Sequence, residues 1–227
     1  MKPVVTDIGA NIEEVKARIN QACQRVGRSP DEVTIVAVTK MVAPSAIATA
    51  SKLGIRHFGE NRVQEAEKKI GQLSWLEPKP TWHMVGHLQT NKAKVAVELF
   101  DIIHSIDSVR LAKVISRCTE TTLPVLLEVN VSGEASKGGF SVVEVAPALE
   151  AISRFPRLEI KGLMTIAPMV ADAEQVRPVF QKLCLLRDSL GLEHLSMGMT
   201  DDFEVAVEEG ATMLRIGRAI FGKGETK

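Results

Sequence analysis

The sequence predicts an α/β fold, a single (β/α)8 TIM barrel over residues 1–227. Eight short apolar runs rich in β-branched residues alternate with amphipathic stretches, each long enough to cross over and bring the next strand in parallel. A chain of 227 residues, 45% hydrophobic and 25% charged, supplies one sizeable core rather than two small ones. Eight units with strands buried on both sides point to a closed barrel, since a doubly wound sheet more often stops at about five to seven strands.

The chain opens on a helix. Ile8, Ile12, Val15, Ile19, Ala22 and Val26 share one face at spacings of three and four, and Gly27 stops the helix before Ser29 and Pro30. This helix is expected to cap the barrel or join its outer layer. The strands of the first half are VTIVAV from Val33, RHFGE from Arg56, TWHMVG from Thr81 and DIIHSI from Asp101. Those of the second are PVLLEVNV from Pro124, LEIKGLMTI from Leu158, EHLSMGM from Glu193 and TMLRIG from Thr212. Helical patterns such as PSAIATASKLG, NRVQEAEKKIGQL, VRLAKVISRC, VVEVAPALEAISRF and EQVRPVFQKLCLLRDSLG lie between them. No Pro/Gly/Ser-rich linker breaks the alternation, so no second domain is expected.

Composition narrows the function. Lys+Arg and Asp+Glu number 28 each, so the chain lacks the basic excess by which nucleic-acid binders neutralise phosphates. The opening MKPVVTDIGANIEEVK lacks the apolar core of a signal peptide, and no apolar run approaches the roughly 20 residues that span a bilayer. A cytoplasmic protein with no nucleic-acid or membrane partner is expected. Cys23, Cys118 and Cys184 form no CxxC pair and suggest neither a disulfide framework nor a zinc knuckle.

In a parallel barrel the chemistry gathers at the C-terminal ends of the strands. Lys40 directly follows VTIVAVT, where low-dielectric walls would favour a neutral, nucleophilic amine suited to a Schiff base; it is equally the first polar residue after a strand, reaching for water. Ser196 and Gly198 in LSMGMTDD, and Gly217 in RIGRAIFG, end the seventh and eighth strands before helices. Those two loops are where phosphate-binding barrels grip a dianion with backbone N–H groups. Arg215 shares the inward side of the eighth strand with Gly217 and needs a partner, either a structural carboxylate or the nitrogen of a bound pyridine. Asn61 stands at a strand-to-helix junction, as a helix N-cap or a ligand contact. His83 and His87 have a spacing that would suit a metal only on a helix, and no HExxH glutamate accompanies them. No metal site is expected.

Taken together, AVTK, HFGEN, WHMVGHLQTNK, EVNVSGEASKGGF, GLMTIAP and LSMGMTDDFEVAVEEGATMLRIGRAIFG resemble, nearly end to end, the pyridoxal phosphate homeostasis (YggS/PROSC) family. The resemblance implies a barrel similar to the alanine racemase N-terminal domain, with pyridoxal 5′-phosphate (PLP) as an internal aldimine on Lys40. It implies that Ser196, Gly217 and Arg218 hold the phosphate, Arg218 mainly through its backbone N–H, that Arg215 faces the pyridine nitrogen, and that Asn61 and Met164 lie beside the ring. Relatives often carry serine or threonine at the position of Arg218 and a second lysine shortly after the one matching Lys40, where this chain reads Met41, Val42, Ala43. Lys137, in SGEASKGGF, matches a family lysine and is expected near the barrel mouth, in solvent.

The enzymatic alternative is a racemase-like PLP enzyme with weak or lost activity. Two-base racemisation needs a tyrosine phenol opposite the lysine, and the chain contains no tyrosine. An arginine at the pyridine nitrogen does not donate a full proton and leaves the ring a weaker electron sink. A barrel that had lost its cofactor and served as an interaction module would show damage at Lys40 or the phosphate loops, and neither is damaged. The expectation is therefore a non-catalytic, monomeric PLP-binding protein that buffers cofactor or delivers it to PLP-dependent apoenzymes.

Overall fold

The computed structural model describes residues 7–222. Asp7 opens the first helix, α1 (Ile8–Val26), by accepting the Ala10 N–H on its carboxylate, and Gly27 closes it at φ 68. Ile12, Val15, Ile19 and Ala22 are buried as their spacing predicts, but Val26 is 43% exposed and Cys23 takes the last inward position. Val26 is the last helical residue, immediately before the Gly27 cap.

All eight expected strands are present: β1 (Thr34–Val38), β2 (His57–Glu60), β3 (Thr81–Met84), β4 (Ile102–Ile106), β5 (Leu123–Asn130), β7 (Leu158–Met164), β8 (His194–Ser196) and β9 (Met213–Ile216). They pair in parallel, β1 against both β2 and β9, and the β4–β5 pairing completes a closed ring. The sequence reading missed β6 (Phe140–Ser141), which pairs with the end of β5 outside the ring. Its approach requires glycine: a Cβ on Gly139 would lie 2.7 Å from the Glu128 carbonyl oxygen, and the residue sits at φ 101.

The crossover helices are α2 (Pro44–Lys52), α3 (Val63–Gln72), α4 (Ala93–Leu99), α5 (Val109–Cys118), α6 (Val145–Ser153), α7 (Arg177–Ser189) and α8 (Phe203–Glu208), followed by a final turn, α9 (Arg218–Phe221). The main core lies between the strands and this helical layer. A separate cluster of Val36, Val85, Leu126, Met164 and Met213 fills part of the barrel interior. Strand alternation puts His83 on the side of Val85, and Arg215 on the side of Met213. The interior thus holds both apolar and polar side chains.

Candidate functional site

Parallel strands deliver Lys40, Asn61, Met164, Ser196, Gly217 and Arg218 to one rim, the C-terminal end of the barrel, with Arg215 just inside it. β1 and β9 are neighbours in register, Ala37 opposite Ile216, so Lys40 and the Gly217–Arg218 turn emerge side by side.

Lys40 is exposed, so the apolar enclosure expected from its place after a strand is absent. Order comes instead from the residues around it. Met41 adopts φ 58, a left-handed conformation rare outside glycine, and its N–H donates to Glu65 Oε1 at 2.7 Å. On the other side of Lys40, the Thr39 carbonyl accepts from the buried Lys69 ammonium at 2.5 Å. Lys69 also donates to Glu60 Oε1 at 2.9 Å and Glu65 Oε1 at 2.7 Å, while the Thr39 hydroxyl donates to Glu60 Oε1 at 2.5 Å. Glu60 is fully buried, burial pushes its carboxyl up, and its Oε2 has no partner among the described residues. None of Thr39, Glu60, Glu65 and Lys69 stood out in the sequence, because their contacts join residues up to thirty positions apart.

Arg215 is 5% exposed, and its guanidinium donates to Ser196 Oγ at 2.6 Å and to the Thr165 carbonyl at 2.7 Å. Of the two partners expected for it, the structural carboxylate is ruled out: no carboxylate forms an ion pair with Arg215 among the described residues. Burial lowers its pKa to about 10, against the opposing pull of Asp202 and Glu128. The two bonds use two of five guanidinium N–H donors. Ser196, expected to offer its hydroxyl to a phosphate, is fully buried and commits that hydroxyl to Arg215 and to His104 Nδ1 at 2.8 Å.

At the rim, the backbone N–H groups of Gly217 and Arg218 donate to nothing among the described residues. Thr200 supplies the hydroxyl there, accepting from the Ala219 N–H at 3.4 Å. The Arg218 guanidinium turns aside to Asp201. A Cβ on Gly217 would sit 3.3 Å from the Val38 carbonyl, so the turn packs directly on β1.

Asn61 does not cap α3; Arg62 holds the N-cap position, and no side chain caps that helix. Asn61 instead lines a cleft of about 410 Å³ with Gly86, His87 and Lys92. Gly86 permits this, since a Cβ there would lie 2.4 Å from the Asn61 carbonyl oxygen. Met164 ends β7 inside the barrel, directly opposite Ser196. Lys137 is not a free solvent lysine: it is half-buried, donating to the Ile166 carbonyl at 3.1 Å and pairing with Glu134 at 2.7 Å. His83 is buried inside the barrel, whereas His87 is exposed and pairs with Asp107 at 3.1 Å, so the two histidines do not converge.

The donor set suits a small aromatic phosphate: an amine and unpaired N–H groups side by side, with a buried guanidinium holding spare donors beneath them. The alanine racemase N-terminal domain matches residues 10–224. A pyridoxal phosphate homeostasis protein of Pseudomonas aeruginosa is 41% identical over 223 residues, covering 96% of each chain. The chain belongs to the pyridoxal phosphate homeostasis family. A member from Aquifex aeolicus is 42% identical, covering 93% of this chain and 96% of its own. Among solved structures, PipY of Synechococcus elongatus with PLP bound superposes with a TM-score of 0.83 at 34% identity, over 95% of this chain and 100% of its own. The family assignment agrees with the barrel and with the resemblance carried by the sequence motifs.

Proposed function

We propose that this chain binds PLP as an internal aldimine on Lys40 and acts in the cytoplasm as a monomeric buffer or carrier of the cofactor rather than as a catalyst. The observation that carries this reading is Arg215, a buried guanidinium without an ion pair among the described residues, whose spare donors lie below the rim that bears Lys40. A pyridine nitrogen is an acceptor of the right kind, and it brings no charge to be desolvated. The Lys40 amine condenses with the cofactor aldehyde and releases water. Gly217 and Arg218 offer the phosphate two backbone N–H groups, Thr200 adds a hydroxyl, and Ser196 contributes by holding Arg215. Asn61 and Met164 flank the ring from β2 and β7.

A guanidinium at the pyridine nitrogen keeps the ring a weak electron sink, and a chain without tyrosine has no phenol for a second racemisation base. Holding and release are therefore favoured over turnover, with PLP-dependent apoenzymes as recipients. The PLP bound to PipY supports the binding of PLP.

The test is borohydride reduction of PLP-soaked protein followed by peptide mapping. The expected result is a pyridoxyl adduct on Lys40, and in Lys40→Ala the loss of the absorbance near roughly 420 nm that a protonated PLP Schiff base gives. An adduct elsewhere, or absorbance retained by Lys40→Ala after gel filtration, overturns the attachment point. Arg215→Ala is expected to weaken PLP binding tenfold or more, about 1.4 kcal/mol, or to shift its band. Lys137→Ala, which loses a rim contact to Ile166 and Glu134, should change binding less. Equal losses in spectral titrations would argue against Arg215 as the ring contact.

A further inference from the structure

Three histidines form a continuous hydrogen-bonded line through the barrel. His57 Nδ1 lies 3.0 Å from His83 Nε2, His83 Nδ1 lies 2.8 Å from His104 Nε2, and His104 Nδ1 lies 2.8 Å from Ser196 Oγ. The line ends on Arg215, which donates to the same Oγ at 2.6 Å. His83 and His104 are buried, and His57 at the other end is half-buried beside a cleft of about 410 Å³ at the opposite mouth of the barrel.

We propose that His57, His83 and His104 form a tautomeric relay of one fixed polarity that positions Arg215 through Ser196. Their effect on a ligand rests on the PLP reading above; the polarity of the relay does not.

Donor and acceptor counting fixes the direction. Arg215 has only donors, so Ser196 Oγ accepts from it. The Ser196 hydroxyl proton then has one acceptor in reach among the described residues, His104 Nδ1. That leaves the His104 proton on Nε2, where it donates to His83 Nδ1; His83 in turn carries its proton on Nε2 and donates to His57 Nδ1. His57 presents an Nε2–H at the far mouth. The reverse polarity would aim His104 Nδ1–H and Arg215 at the same oxygen and leave the buried hydroxyl proton without an acceptor. It would also remove the acceptor that turns the Ser196 proton away from Arg215. Burial supports the neutral rings this requires, lowering the pKa of His83 to about 3 and that of His104 well below its ordinary value.

The relay is tested by two-bond 1H–15N correlation of the histidine rings in protein without PLP. His83 and His104 are expected as pure Nε2–H tautomers that do not titrate from about pH 5.5 to 8. Nδ1–H on either ring overturns the assignment. In Ser196→Ala the proton that sets the polarity is gone, and His57, two rings away, is expected to change from a single Nε2–H tautomer to a mixture. A residue that merely fills space would leave His57 unchanged, and that result also overturns the proposal. His104→Gln, which breaks the line at one ring, is expected to keep the Lys40 adduct while weakening PLP binding about tenfold. Unchanged PLP affinity in a folded His104→Gln protein would show that the relay does not position Arg215. Absence of any adduct in the unaltered protein would instead sink the PLP reading, with the ring tautomers still deciding the relay.

Discussion

Lys69→Met is expected to lower the stability of the protein by about 3–5 kcal/mol, the range for removing one partner of a buried ion pair. Methionine keeps the aliphatic stem of Lys69, so the loss isolates the ammonium. That ammonium is the only cation bonded to Glu60 among the described residues, and Glu60 is fully buried with one carboxylate oxygen already unpartnered. Without Lys69, Glu60 either stays charged in an apolar layer or takes up a proton, and both cost free energy. The Thr39 carbonyl loses its side-chain donor in the same step. Urea unfolding of the single variant and of the double variant Lys69→Met/Glu60→Gln measures this. The double variant should recover part of the loss because the stranded charge is gone; a single-variant loss below about 1 kcal/mol would mean that the pair is compensated elsewhere. The same change should loosen the backbone beside Lys40. Met41 holds its left-handed conformation through a bond to Glu65, which itself depends on Lys69. Faster amide exchange at Met41 and Val42 is the local sign.

This arrangement explains why Lys40 stands out in the sequence while its support does not. Lys40 was legible because it directly follows the strand VTIVAVT and so stands at the barrel rim, where parallel barrels keep their chemistry. Its supports come from three different elements, and no local pattern marks Lys69 on an amphipathic helix as different from Lys68 one residue earlier. The same division holds throughout the fold. The eight ring strands are local apolar runs and were all readable, whereas β6 depends on a close approach allowed by Gly139. Val26 was placed on the buried face by spacing alone, and at the last position of α1 it is exposed while Cys23 packs inward. The histidine line is the fullest case. His57, His83 and His104 are each an ordinary inward strand position, but whether they touch depends on cross-strand register, Gly59 opposite His83 and His83 opposite Ile102. Register between strands more than twenty residues apart is set by tertiary packing, and the four-residue spacing of His83 and His87 drew attention to the wrong partner.

The buried rings also make the protein acid-sensitive. His83 has its pKa lowered from 6.5 to about 3 by burial, with His57 adding to the effect. A group with a depressed folded-state pKa contributes stability above its unfolded pKa and loses it as the pH falls. Below about pH 6.5 the unfolded chain binds a proton at His83 that the folded chain refuses, and the loss continues down to about pH 3. At pH 5 this is about 1.5 pH units, or about 2 kcal/mol from His83 alone. His104 is shifted in the same direction, by burial first and then by His83, Arg215, His194 and His57, which all oppose a charge on it. The buried carboxyls of Glu60 and Asp202 and the half-buried one of Glu128, pushed up by desolvation, act in the opposite sense, because the folded state takes up their protons first. The difference between the unaltered protein and His83→Gln therefore isolates the histidine contribution. Unfolding free energies from urea titrations at pH 7 and pH 5 should fall less in His83→Gln, by about 2 kcal/mol over that interval. Equal slopes in the two proteins would mean that His83 takes up its proton in the folded state, which would place a second positive charge in the line that ends on Arg215.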